Sequence, residues 1–110
     1  MKREIDSERR VRVVRSSLQK TPEVRTLNLR QEAGCWLKRL RLARGLSQRD
    51  LAKKVGIEYY TFISQLETGR GRIPPDRYLL WADALGVTPR GFVAELMRYY
   101  DPVTFEVLFG

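Results

Sequence analysis

Histidine is absent from the 110 residues, which removes the commonest general base, the commonest metal ligand and every histidine-dependent triad. Neither a phosphate-cradling glycine loop nor a nucleophile elbow is present. The carboxylates at Asp50, Glu58, Glu67, Asp76, Asp83 and Glu95 stand at predicted helix starts or beside basic residues, where caps and solvated ion pairs account for them. No enzyme is expected, and no cofactor or metal. Cysteine is almost as scarce. Cys35 stands alone, so it has no internal disulfide partner, and its place in a predicted helix without an activating charged pair reads as a small buried apolar residue. No apolar run approaches the roughly 18 residues of a membrane span, and the basic N-terminus lacks the apolar segment of a signal peptide. A cytoplasmic protein without membrane association is expected.

Acidic residues are also in deficit. Lys and Arg number 21 against 13 Asp and Glu, a formal charge of +8, which favours a polyanionic partner. The length and a hydrophobic content of 43% suit one modest core, with arms. Residues 1–30 form a basic arm: Lys2, Arg3, Arg9, Arg10, Arg12, Arg15, Lys20, Arg25 and Arg30 outnumber Glu4, Asp6, Glu8 and Glu23. Within it, Arg10-Val11-Arg12-Val13 alternates like a short strand, and Thr21-Pro22-Glu23 has the chemistry of a helix cap, but neither is long enough to stand alone. Two readings of the arm stay open: a segment without structure of its own until bound, or one that tracks phosphates or enters a minor groove.

The centre of the chain, residues 46–67, reads as two short helices parted by a glycine. Ser47 followed by Asp50 is a capping-box-like start, with the hydroxyl oxygen facing free backbone N–H groups and the carboxylate favoured by the helix dipole. Leu51, Ala52 and Val55 then share one face. Gly56 suits the left-handed residue that stops a helix. The second helix is expected over residues 59–68, with Ile63 and Leu66 inward, Tyr60, Thr61, Ser64 and Gln65 outward or flanking, and Gly69 ending it. Helices this short need a scaffold. Residues 31–44 supply one helix, with Ala33, Leu37, Leu40 and the stem of Arg44 on a stripe and Trp36 beside it, placed to meet the arm or the C-terminal segment. Pro75 opens another, with Tyr78, Trp81, Ala82 and Leu85 inward and Gly86 as its stop. Thr88-Pro89 caps a third, in which Phe92, Val93, Leu96 and Tyr100 face the core. Asp101-Pro102 repeats that signal ahead of an apolar stretch, Val103 to Phe109, which requires a covering surface: a short helix folded back near Trp36, or contact with a second copy, by a strand if the β-formers prevail.

Arg41, the Gly45-Leu46-Ser47-Gln48 run, Leu51-Ala52, Gly56-Ile57, Ile63-Ser64, Leu66-Glu67 and Gly69 together resemble the lambda-repressor-like helix-turn-helix domains of the Cro and phage-repressor class (XRE type), over about residues 31–98. One departure stands out: between Gly56 and the Ile63-Ser64 pair the chain holds one residue more than the usual pattern. The resemblance implies an all-α fold of five to six helices; the chain then divides into a basic arm (1–30), a DNA-binding domain (31–100) and an apolar C-terminal segment (101–110), a dimerisation element if it meets a second copy rather than folding back. It implies a sequence-specific regulator of transcription, a dimeric repressor at a palindromic operator on double-stranded DNA. It also implies an ion pair between Arg41 and Glu67, expected to be at least partly buried.

The expected DNA contacts are Ser47, Gln48 and Arg49 at the start of the supporting helix, Tyr59, Tyr60, Thr61, Ser64, Gln65 and Thr68 on the second, and Arg70 and Arg72 in the following loop. Gln48 is suited to a phosphate and Gln65 to an adenine edge. The reading from another class is an antitoxin or other protein-interaction module, with the arm or the apolar tail clamping a protein partner.

Overall fold

The computed structural model describes the backbone of residues 22–110 and the side chains from Asn28 onward. The Arg10 to Val13 segment and the rest of residues 1–21 lie outside the described residues. Among the described residues six α-helices follow in order: α1 (Pro22–Ala43), α2 (Gln48–Lys54), α3 (Thr61–Glu67), α4 (Tyr78–Leu85, entered through a 3₁₀ turn at Pro75–Arg77), α5 (Pro89–Tyr100) and α6 (Pro102–Phe109). There is no strand among the described residues.

Local cap chemistry sets most of the boundaries. Ser47 accepts from the Asp50 N–H (3.0 Å) while Asp50 accepts from the Ser47 N–H (2.9 Å), so the capping box satisfies two donors at the start of α2. The Ser47 N–H first, and the Ser47 hydroxyl second, hold the Asp50 carboxyl below its ordinary pKa. Gly56 follows the end of α2 at φ 70°, where a side chain would be strained. Thr88 caps α5 through the Gly91 N–H, and Asp101 caps α6 through Thr104, each with proline in the first turn, where a missing N–H costs nothing.

Leu37, Leu51, Val55, Ile63, Leu66, Ile73, Trp81, Leu85, Phe92 and Leu96 make one buried cluster, drawing on five helices and the loop after α3. Helix α1 crosses α3 very closely at Gly34, where a Cβ would lie 2.7 Å from the Leu66 carbonyl oxygen and strike the Glu67 carbonyl as well. Trp36 stacks on Phe92 (5.5 Å between ring centroids) and meets Tyr99 at 5.8 Å. Among the described residues its aromatic partners are therefore on α5.

Several expectations are corrected. Helix α1 starts at Pro22 rather than Gln31, because proline at the first helical position nucleates without losing a bond. Cys35 is exposed, not buried: Ala33, Gly34, Leu37 and Arg41 form the inward stripe, and Cys35 falls with Glu32, Lys38, Arg39 and Leu42 on the outer side. Arg44 lies outside the core too, its guanidinium against Gly86. Helix α3 begins at Thr61, not Tyr59. The C-terminal segment is a helix on α5, where Arg90 covers Phe109 (5.4 Å) and Arg98 covers Phe105 (5.6 Å), leaving Val103, Val107 and Leu108 exposed.

Candidate nucleic-acid interface

Helix α3 presents two distinct faces. Ile63, Leu66 and Glu67 are buried, while Thr61, Gln65 and Thr68 are exposed and Ser64 is half-buried. Positions 61, 64, 65 and 68 follow the i, i+3, i+4, i+7 rule, so they line one outward stripe about two turns long. All four carry hydroxyl or amide groups, the donor and acceptor types that read base edges. The Thr68 hydroxyl turns back to the Ser64 and Gln65 carbonyls (3.0 and 3.1 Å), which leaves its oxygen free to accept.

The inner face is held by charge as well as by packing. Arg41 donates from Nε to Glu67 Oε2 (2.6 Å) and from Nη2 to Oε1 (3.0 Å), and its Nη1 bonds the Leu46 carbonyl (2.7 Å). Arg41 is 5% exposed and Glu67 7%. This two-pronged geometry fixes both the distance and the roll of α3 against α1. The third participant is Gln48, whose amide donates to Glu67 Oε1 (3.1 Å). One N–H of Gln48 is thus committed inward, and the other remains for a partner beyond the start of α2.

Residues 56–60 lie in the turn between α2 and α3, ahead of the first helical residue, Thr61. Tyr60 occupies the N-cap position with helical backbone angles (φ −64°, ψ −16°) and no side-chain cap. Its ring is covered by the Arg49 guanidinium (4.6 Å), a cation–π contact that draws Arg49 across the turn. Tyr59, by contrast, is 68% exposed. Ser47, Arg49 and Arg70 are exposed as well, although the Ser47 oxygen is engaged in the cap. Arg72 lies 4.8 Å from the Tyr100 ring centroid.

Sequence reasoning missed the part that four residues play here. Gly34 and Gly69 set how closely α3 and its following loop approach α1, while Arg30 and Tyr100 bear on that loop. Only Gly34 carried a local signal: glycine inside a helix sacrifices about 1 kcal/mol relative to alanine, so it points to a close backbone approach. Burial pushes the Tyr100 phenol above its ordinary pKa, against the lowering effects of the Ile73 N–H, Arg30 and Arg72.

Among the described residues, no group of His, Cys, Asp and Glu is arranged to hold a metal ion, and no helix is long and apolar enough to cross a membrane. A short capped helix supports a second one whose outer stripe is polar and whose inner face is locked to the scaffold; this arrangement defines a helix-turn-helix DNA-binding protein. The Helix-turn-helix family model matches residues 37–92, and the chain belongs to that family, in its XRE-type branch. It is a DNA-binding regulator of transcription. Among solved structures it is similar to the restriction-modification controller protein C.AhdI from Aeromonas hydrophila, at 32% sequence identity and a TM-score of 0.51, over 59% of this chain and 96% of that one. No curated protein matches this chain.

Proposed function

We propose that the protein is a dimeric repressor that reads a palindromic operator by placing α3 of each copy in a major groove. The observation that carries this reading is the stripe Thr61, Ser64, Gln65 and Thr68 on a helix whose opposite face is locked through Glu67. A reader of bases needs adaptable donors on an element that does not itself move. Gln65 carries an amide that matches the N6 and N7 edge of adenine, and Thr61, one turn earlier, addresses the neighbouring base pair. Gln48 offers its uncommitted N–H to a phosphate, joined through Glu67 to the ion pair behind α3, with Arg49, Tyr59 and Arg70 as further contacts outside the stripe. Two copies would set their recognition helices about 34–36 Å apart, one helical turn of DNA. The likeness to a controller protein supports the regulatory role.

Selection of bound sites from random duplexes, followed by Gln65→Ala and Gln48→Ala measured on the selected and a scrambled duplex, tests this. Gln65→Ala is expected to cost about 1–3 kcal/mol on the selected site and much less on the scrambled one, whereas Gln48→Ala weakens both alike. Equal losses from Gln65→Ala on both duplexes would move base reading to Tyr60 and Thr61. A second reading, an antitoxin-like module that also binds a protein, draws on the exposed Val103, Val107 and Leu108 of α6. A stoichiometric protein partner recovered from the native host would favour it.

A further inference from the structure

The loop after α3 is fastened from two sides by residues outside the helix-turn-helix. On one side Gly69, at φ 93°, presses on α1, where a Cβ would lie 2.9 Å from the Gln31 backbone nitrogen. The neighbouring Arg30 donates from Nη1 to the Gly71 carbonyl (3.3 Å). On the other side, at the end of α5, the Tyr100 hydroxyl accepts from the Ile73 N–H (3.3 Å), just where the Ile73 side chain enters the core. Two guanidinium groups flank the same ring, Arg72 at 4.8 Å and Arg30 at 5.7 Å from its centroid.

Bringing two like charges onto one ring is unfavourable, and the ring's negative faces offset only part of that. Among the described residues no carboxylate forms a salt bridge with either arginine. Asp101, whose carboxyl Arg72 helps to hold below its ordinary pKa after the two Thr104 bonds, has both oxygens engaged with Thr104. A phosphodiester oxygen would supply a direct ion pair of the kind that neither arginine makes with a described carboxylate. A loop with two positive-φ glycines, Gly69 and Gly71, is also intrinsically free to move. Fastening it beforehand removes the ordering cost from the binding step.

We propose that Arg30 and Tyr100 clamp the loop at residues 69–73 so that Arg72, with Arg70, meets the DNA backbone beside the groove read by α3. Tyr100 is a positioning residue, acting through Arg72. This inference rests on the DNA-binding reading above.

The test is the salt dependence of binding of the full chain to an arbitrary-sequence duplex of about two helical turns. Arg72→Gln is expected to reduce the slope of log affinity against log salt by about 0.9, the share of one phosphate. Tyr100→Met should reproduce most of that drop and weaken binding about five- to tenfold, while Tyr100→Phe, which keeps the ring under both arginines but loses the Ile73 bond, should give a slope between those of wild type and Tyr100→Met. In the Tyr100→Met background Arg72→Gln should add almost nothing, since the two act in series. A Tyr100→Met protein with a native far-UV spectrum and an unchanged slope overturns the clamp. Should that variant not fold, Arg30→Gln takes its place, and an unchanged slope there is equally fatal. If instead Arg70→Gln and Arg72→Gln both leave binding intact, the loop does not touch DNA and the clamp falls while the role of α3 stands. A wild-type protein without salt-dependent binding would overturn the parent reading itself.

Discussion

Replacing Arg41 by alanine should be among the most damaging single changes available, because of what it leaves behind. Glu67 is 7% exposed and receives two bonds from Arg41 and one from Gln48. Without the guanidinium the carboxylate remains buried with a single neutral donor, and the Leu46 carbonyl loses its bond of 2.7 Å as well. An uncompensated charge at this depth costs about 3–5 kcal/mol, against roughly 1 kcal/mol or less for an exposed pair. At about 4–8 °C per kcal/mol for a domain of this size, the melting temperature should fall by roughly 12 °C at the least. Circular dichroism melts of Arg41→Ala, and of Arg41→Met combined with Glu67→Leu, measure this. The double variant should recover more than half of the loss, since it removes both charges and fills their volume. An Arg41→Ala melt within about 2 °C of wild type would refute the reasoning, because it would mean that Glu67 escapes to solvent and that the pair does not hold α3.

Gly34→Ala should destabilise by about 1–3 kcal/mol despite the better helix propensity of alanine, because its Cβ meets backbone rather than a movable side chain; a chemical denaturation curve shows it, and a stabilised variant would mean that α1 and α3 are further apart than described. Asp50→Asn probes the capping box by pH. The lowered folded-state pKa of Asp50 means that its stabilisation is present above the unfolded value, about 3.9, and is lost as pH falls through the folded value. Wild type should therefore exceed Asp50→Asn in stability at neutral pH, and the gap should close below about pH 4. Truncation after Tyr100 removes α6 with its exposed Val103, Val107 and Leu108. The shortened protein should be monomeric in sedimentation, and one that stays dimeric would place the interface elsewhere, on the helix from Pro89 to Tyr100 first.

The features legible in the sequence are those whose partners lie within one turn of chain. Ser47 with Asp50, Thr88 with Gly91 and Asp101 with Thr104 each satisfy a donor three residues away, so cap chemistry alone locates three helix starts. The start of α3 escaped because Tyr60 stands at the N-cap with no side-chain bond; nothing local marks that boundary, and a longer turn fits as well as a longer helix. Gln65 and Thr61 were readable because an outward stripe follows from spacing once Ile63 and Leu66 face inward. The two sides of α1 were harder. From Gln31 onward, Trp36, Leu37 and Leu40 compete as inward residues, and what decides between them is the close crossing at Gly34, which is set by backbone carbonyls of α3 far away in sequence. That crossing turns Cys35 outward. The same logic explains Arg30 and Tyr100: their bonds to Gly71 and Ile73 span 41 and 27 residues, and neither residue type announces a loop clamp by itself. Arg41 and Glu67, 26 residues apart in the chain, were visible only through their family positions. An ion pair leaves no periodic trace, and only the depth of its burial separates a structural lock from a surface decoration.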